Sequence, residues 1–179
     1  MADSSIGNIP TRSPVGPDQA VEFRRVMGRF PTGVVVVATR YQGRPYGMSV
    51  NSFASVSLDP LMLMFCAARD SSTWPYLRKA GRFAVSVLGA GQEEACRLFA
   101  TKGADRFAGL SWSLNASGQP VLDDAIAWFD CVVADVYPGG DHKIVLGQVL
   151  NMREGVDGSP LVFHRGAFSG LSANGFGKA

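Results

Sequence analysis

"AWFDCVVADVYPGGDHKIVLGQVLNM", residues 127–152, reads as two long apolar, β-branched arms joined by Pro138, Gly139, Gly140 and Asp141. Such a linker is turn chemistry, and it leaves no room for the helical crossover that parallel neighbours need. The stretch therefore predicts a long antiparallel hairpin, strands over 127–137 and 142–152, with Gly139 and Gly140 making the turn. His142 opens the returning strand. By the period-two rule it shares a face with Ile144 and Leu146, expected to be the inner face of a barrel at its rim. Asp141 then points the other way and is not expected to be its hydrogen-bond partner.

Outward from the hairpin the same grammar repeats. "GVVVVATR" (33–40), a turn in "YQGRP", a strand over 46–53, "LMLMFCA" (61–67) and "RFAVSVL" (82–88) read as strands, and "PLVFHRGAFSGL" (160–171) as one or two closing strands. Helices are few. Phe23, Val26, Met27 and Phe30 fall at i, i+3, i+4 and i+7 on one helical face, with Asp18 as N-cap and Pro31 as stop. "SSTWPYLRKAG" predicts a short helix capped by Ser or Thr with Pro75 in its first turn, and "GQEEACRLFA" (91–100) another with Ala95, Leu98 and Phe99 on one side. Strands and helices do not alternate regularly, which argues against a doubly wound parallel sheet. The fold class expected is mainly β, an antiparallel barrel with a few peripheral helices. Residues 1–17, rich in Ser, Pro and Gly, read as a flexible tail, 18–172 as one domain, and 173–179 as a C-terminal tail.

Composition narrows the function classes. A net charge of +2 with no basic run excludes an electrostatic case for nucleic acid or an acidic membrane. Cys66, Cys96 and Cys131 stand far apart among apolar residues and read as buried free thiols; no CxxC pair or His cluster suggests a metal. There is no secretory leader pattern, and the longest apolar stretch, "LMLMFCAA", is too short to cross a bilayer. A cytoplasmic protein is expected.

GxSxG, P-loop, HExxH and a strand-to-helix GxGxxG are missing from the sequence. A site of small polar residues and backbone remains possible, and such sites serve cofactors that carry the chemistry themselves. "YGMSVNSFASVSLDP" (46–60) alternates Ser49, Asn51, Ser55 and Ser57 with apolar residues, a polar face that is either solvated or turned to a ligand. "RDSSTW" (69–74) places three hydroxyls at a helix start, either a plain cap or an anion site.

"FPTGVVVVAT", "GMSVNSFASVSLDP", "SSTW", "GADRFAG", "GGDHKIVLGQV" and "LVFHRGAFSGL", in that order, resemble the flavin reductase-like family, the small reductase components of two-component flavin monooxygenases. The resemblance covers about residues 20–171. It implies a split β-barrel, Greek-key-like, forming a homodimer with flavin near the interface. It further implies NADH- or NADPH-dependent reduction of FMN or FAD, and release of reduced flavin to a separate monooxygenase. On that match Thr32, Gly33 and the strand through Val37 would line the flavin. Met48, Ser49, Val50, Asn51, Ser52 and Phe53 would hold its ring, with Ser55 and Ser57 extending the wall. Ser71 and Thr73 would meet the phosphate, with Arg106 and Phe107 as the basic-aromatic pair beside it. His142 would contact the nicotinamide end of NAD(P)H, with Phe168 stacking where a tyrosine is frequent in the family. Leu61 departs from the family's second proline, and His164 reads as structural. No residue is expected to act as acid or base, because hydride passes directly from nicotinamide to flavin. Two rivals share the expected barrel: a pyridoxamine-phosphate-oxidase-like enzyme, which normally needs more basic residues than these segments hold, and a non-catalytic flavin-binding or storage protein.

Overall fold

The computed structural model describes residues 16–171. The elements in chain order are α1 (Pro17–Met27), β1 (Thr32–Gly33), β2 (Val35–Tyr41), β3 (Arg44–Val50), β4 (Ala54–Leu58) and β5 (Leu61–Ala68), then α2 (Trp74–Ala80), β6 (Arg82–Val87) and α3 (Glu93–Ala100). They are followed by β7 (Trp112–Leu114), β8 (Pro120–Leu122), β9 (Ala127–Gly139), β10 (His142–Glu154), β11 (Leu161–His164) and β12 (Ala167–Gly170). Seven strands form one antiparallel sheet in the order β3-β2-β6-β9-β10-β5-β4. β1, β11 and β12 make a second sheet, and β7 with β8 a small third.

The topology forces the large sheet to curl. Its two edge strands, β3 and β4, are consecutive in the chain and joined only by Asn51, Ser52 and Phe53. Laid flat, six steps of about 4.8 Å would part them by about 29 Å, whereas such a link reaches about 14 Å at most. The edges are thus drawn together without pairing, and the result is a split β-barrel. One hydroxyl bridges the seam: the Cys66 N–H on β5 donates to Ser52 Oγ at 2.9 Å, and Ser52 Oγ–H donates back to the Cys66 carbonyl at 3.4 Å.

Both faces of β2 are buried, which is why its sequence is continuously apolar and not alternating. Val35 and Val37 enter the barrel core with Phe65, Phe83, Val85, Cys131 and Val145. Val36 and Ala38 turn to a second core outside the barrel, filled by Leu88, Phe99, Phe107, Leu122 and Leu161. Burial pushes the Cys131 thiol up to about 12, with the Asp130 charge adding to it, so it stays protonated and inert. Cys96 is also buried and free, but Cys66 is only half-buried.

Several expectations are corrected. The central hairpin forms, but His142 pairs with Gly139, so Gly140 (φ 72°) and Asp141 make a two-residue turn. The core face of β10 carries Val145, fully buried, while Ile144 and Leu146 are half-buried outside. The strand is apolar on both faces, so alternation could not say which was inner. Asp141 does partner His142, Oδ1 to Nδ1 at 2.8 Å, because a turn residue lies outside the pleat and its direction is free. The N-cap of α1 is Gly16, with Pro17 in the first turn and Asp18 near the positive end of the helix. The apolar face of α1 is not buried: Phe23 is 67% and Met27 50% exposed. The closing strands leave the barrel to pair with β1, and β4, β7 and β8 were not foreseen. The tails expected at 1–17 and 173–179 lie outside the described residues, except Gly16 and Pro17.

Candidate functional site

A cavity of about 770 Å³ opens at the barrel seam. The end of β3 and the three-residue link supply Met48, Ser49, Val50, Asn51 and Ser52 along one wall. Cys66 and Ala68, on the outer face of β5, supply the opposite wall, with His142 at the rim where it pairs with Ala68. Ser71 and Ser72 close one end with Arg106, and Phe23 and Met27 of α1 border it. The seam explains the site's chemistry. Beyond its last pairing with β4, at Ala54–Met64, β5 runs on with one edge unpaired and faces the end of β3 across a gap in which Asn51 and Ser52 sit.

Arg106 is held from three directions. Its Nη1 donates to the Gly47 carbonyl and to Thr73 Oγ1, each at 2.7 Å, and its Nε donates to the Thr101 carbonyl at 3.1 Å. Thr73 Oγ1–H in turn donates to the Gly47 carbonyl at 2.8 Å, so the guanidinium, the hydroxyl and the β3 backbone form a closed triangle. No carboxylate pairs with Arg106 among the described residues. Partial burial lowers its pKa, the effect of taking an unpaired charge out of water.

The helix start at 71–74 serves itself. Ser71 Oγ accepts the N–H groups of Thr73 and Trp74, both at 3.3 Å, so the capping hydroxyl is Ser71 and those donors are already engaged. At the rim, Lys102 Nζ meets Asp70 Oδ2 at 2.8 Å, and the His142–Asp141 pair holds the Asp141 carboxyl below its ordinary range. Both pairs are solvent-exposed and contribute little to stability.

Of the residues singled out in the sequence, Met48, Ser49, Val50, Asn51, Ser52, Ser71, Arg106 and His142 line this cavity. Thr73 and Phe107 line an adjoining cavity of about 310 Å³. Phe168 lines a third, of about 170 Å³, which shares Ser49, Val50 and Asn51 with the first; its ring lies 5.3 Å from Phe163 and under the Arg97 guanidinium. Val37 is fully buried in the barrel core and offers no surface to a ligand. Phe53 packs against that core and Phe129. Ser55 and Ser57 lie on β4 outside these three cavities, and Ser57 Oγ accepts the Asp59 N–H. Thr32 and Gly33 form β1 and also lie outside them; the Thr32 hydroxyl is buried and has no partner among the described residues. Ser72, one of the three hydroxyls of the "RDSSTW" stretch, also lines the seam cavity, whereas the sequence reading missed Cys66, Ala68, Asp70, Phe99 and Lys102 as cavity residues. An all-apolar β5 gives no signal for which of its faces meets the gap.

The arrangement offers hydroxyls, an amide, backbone and one fixed cation. Among the described residues no His, Cys, Asp or Glu cluster could hold a metal, and no helix is long and apolar enough to cross a membrane. A cavity of this size takes a drug-sized ring system, and the unpaired Arg106 at one end suits an anionic tail.

Comparison with known proteins agrees with this geometry. Residues 27–172 match the family described as "Flavin reductase like domain". A flavin reductase of Pseudomonas putida is 41% identical over 152 residues, covering 84% of this chain and 89% of its own. An NADH-dependent FAD reductase of Streptomyces globisporus is 41% identical over 164 residues, covering 89% and 90%. The crystal structure of a nitrilotriacetate monooxygenase component B homologue from Mycobacterium thermoresistibile superposes with a TM-score of 0.86 at 38% identity, over 90% of this chain and 91% of that one.

Proposed function

Since this chain belongs to the flavin reductase like family, we propose that it oxidises NADH or NADPH to reduce FMN or FAD and passes the reduced flavin to a separate monooxygenase. The observation that carries this reading is the seam cavity itself, a largely apolar cleft into which Ser49, Asn51, Ser52, Ser71 and Ser72 bring polar groups, with the Arg106 cation, unpaired among the described residues, at one end. Bound flavin supplies the hydride acceptor. The chain's own work is to hold and orient it: Ser49, Asn51 and Ser52 with the link backbone along the ring, and Ser71, Ser72 and Arg106 at the phosphate end. Contacts of about 1 kcal/mol each suit a flavin that must leave after reduction. His142, at the rim, positions the nicotinamide; hydride transfer needs alignment of the two rings at about 3 to 3.5 Å and no proton donor. A homodimer and a cytoplasmic setting fit this role. The named kinship with a monooxygenase component supports a separate oxygenase as the partner.

The test is oxidation of NADH and of NADPH with riboflavin, FMN and FAD in turn, with no aromatic substrate present. Flavin should raise the rate many-fold; a rate indifferent to flavin would overturn the reading. His142→Ala should raise the KM for the nicotinamide donor while flavin affinity, measured by titration, stays nearly unchanged. Unaltered donor kinetics would return His142 to being a turn residue.

A further inference from the structure

Two cavities meet at one side chain. The seam cavity and its neighbour of about 310 Å³ share Ser72 and Arg106, which form the partition between them. Three hydrogen bonds through Nη1 and Nε fix the guanidinium, but its Nη2 reaches only Ser72 Oγ, at 3.4 Å. A half-buried cation with donor capacity left over and no carboxylate partner among the described residues is favourably completed by an anion. That anion would lie on the partition, with a cavity on either side.

The smaller cavity differs in character from the larger. Tyr46 and Tyr76 line it, stacked on each other with centroids 3.8 Å apart and planes within 12°. Both remain half-exposed, so the pair offers an aromatic surface to a further planar ring. Asp105, also in its lining, offers carboxylate oxygens to sugar hydroxyls or an exocyclic amine. A groove of about 310 Å³ has room for a single purine nucleoside.

We propose that this second cavity takes the adenylate half of FAD, its pyrophosphate crossing Arg106 and Ser72, so that the protein holds FAD more tightly than FMN. The inference rests on the flavin-reductase reading and deepens it. The seam cavity accepts the part common to riboflavin, FMN and FAD, and the tyrosine-lined cavity accepts only what FAD adds.

Calorimetric titration of the full chain with riboflavin, FMN and FAD tests this. FAD should bind about tenfold more tightly than FMN, the size of one base-on-aromatic stacking contact. Tyr76→Ala should erase most of that advantage while FMN affinity stays within about twofold. In the wild-type protein ADP, used as a probe, should compete with FAD and not with riboflavin, which decides the matter even if Tyr76→Ala does not fold. Equal affinity for FMN and FAD would overturn the assignment. So would a Tyr76→Ala variant that keeps the FAD preference but binds NADH less well with FMN as acceptor, for the cavity would then serve the adenylate of the nicotinamide donor. Flavin-dependent NADH oxidation with riboflavin or FMN stands apart from these outcomes, so loss of the FAD preference leaves the reductase reading intact.

Discussion

Thr32 carries a buried hydroxyl that no group among the described residues satisfies. An orphaned polar atom of this kind costs about 1 to 3 kcal/mol, and it persists where something outside the fold completes it. Thr32 pairs with Phe163 on β11, whose ring faces the small cavity that shares Ser49, Val50 and Asn51 with the seam. Thr32→Val keeps the shape and removes the orphan. The melting temperature of the flavin-free variant should be unchanged or higher, by about 2 to 4 °C per kcal/mol regained. If the hydroxyl reaches bound flavin, affinity should fall about fivefold. A variant equal to wild type in both measurements would leave the hydroxyl without a role. His142 is the contrasting residue. Its position at a strand start was legible from "PGGDH", but its partner was not, because the direction of Asp141 depends on which two residues form the turn.

At the scale of elements, the strands declared themselves where their chemistry was unambiguous. The β2–β3 and β9–β10 hairpins follow from apolar runs broken by Gln42-Gly43 and Gly140-Asp141. The faces of those strands did not. Leu61–Ala68 is apolar throughout, and only the curl of the sheet sends Phe65 and Ala67 inward and leaves Cys66 and Ala68 on the cavity wall. The seam itself is a long-range consequence of strand order, invisible to any local pattern. β10 also carries a bulge between Leu146 and Gly147. A Cβ on Gly147 would lie 2.5 Å from the Phe83 ring tip and 3.2 Å from Leu63, so the Phe83 ring, reaching from β6 through the barrel core, takes the space a side chain would need there. Gly147→Ala should cost about 1 to 3 kcal/mol by overpacking, read as a lowered thermal midpoint. A midpoint matching wild type would mean that the Phe83 ring yields freely.

At the scale of the molecule, apolar surface remains to be covered. Besides Phe23 and Met27, Val26 and Phe30 of the α1 region are more than half exposed, as are Leu58 at the end of β4 and Met152 on β10. This much exposed apolar side chain on one small domain marks an interaction surface, and a twofold dimer is the simplest way to cover it. Light scattering at micromolar concentration should give twice the chain mass; a flavin-binding monomer would refute the dimer. The site has an optical side as well. Trp74 is buried one layer behind the cavity: its backbone N–H is held by Ser71 Oγ, and its ring lies under the Lys143 ammonium. Trp112 stands against Phe107, behind the tyrosine-lined cavity. Indole emission overlaps the near-ultraviolet absorption of flavins, so each cavity has a lamp set into its wall. Occupancy can then be followed as quenching in the unlabelled protein, and the return of the glow would time the flavin's departure.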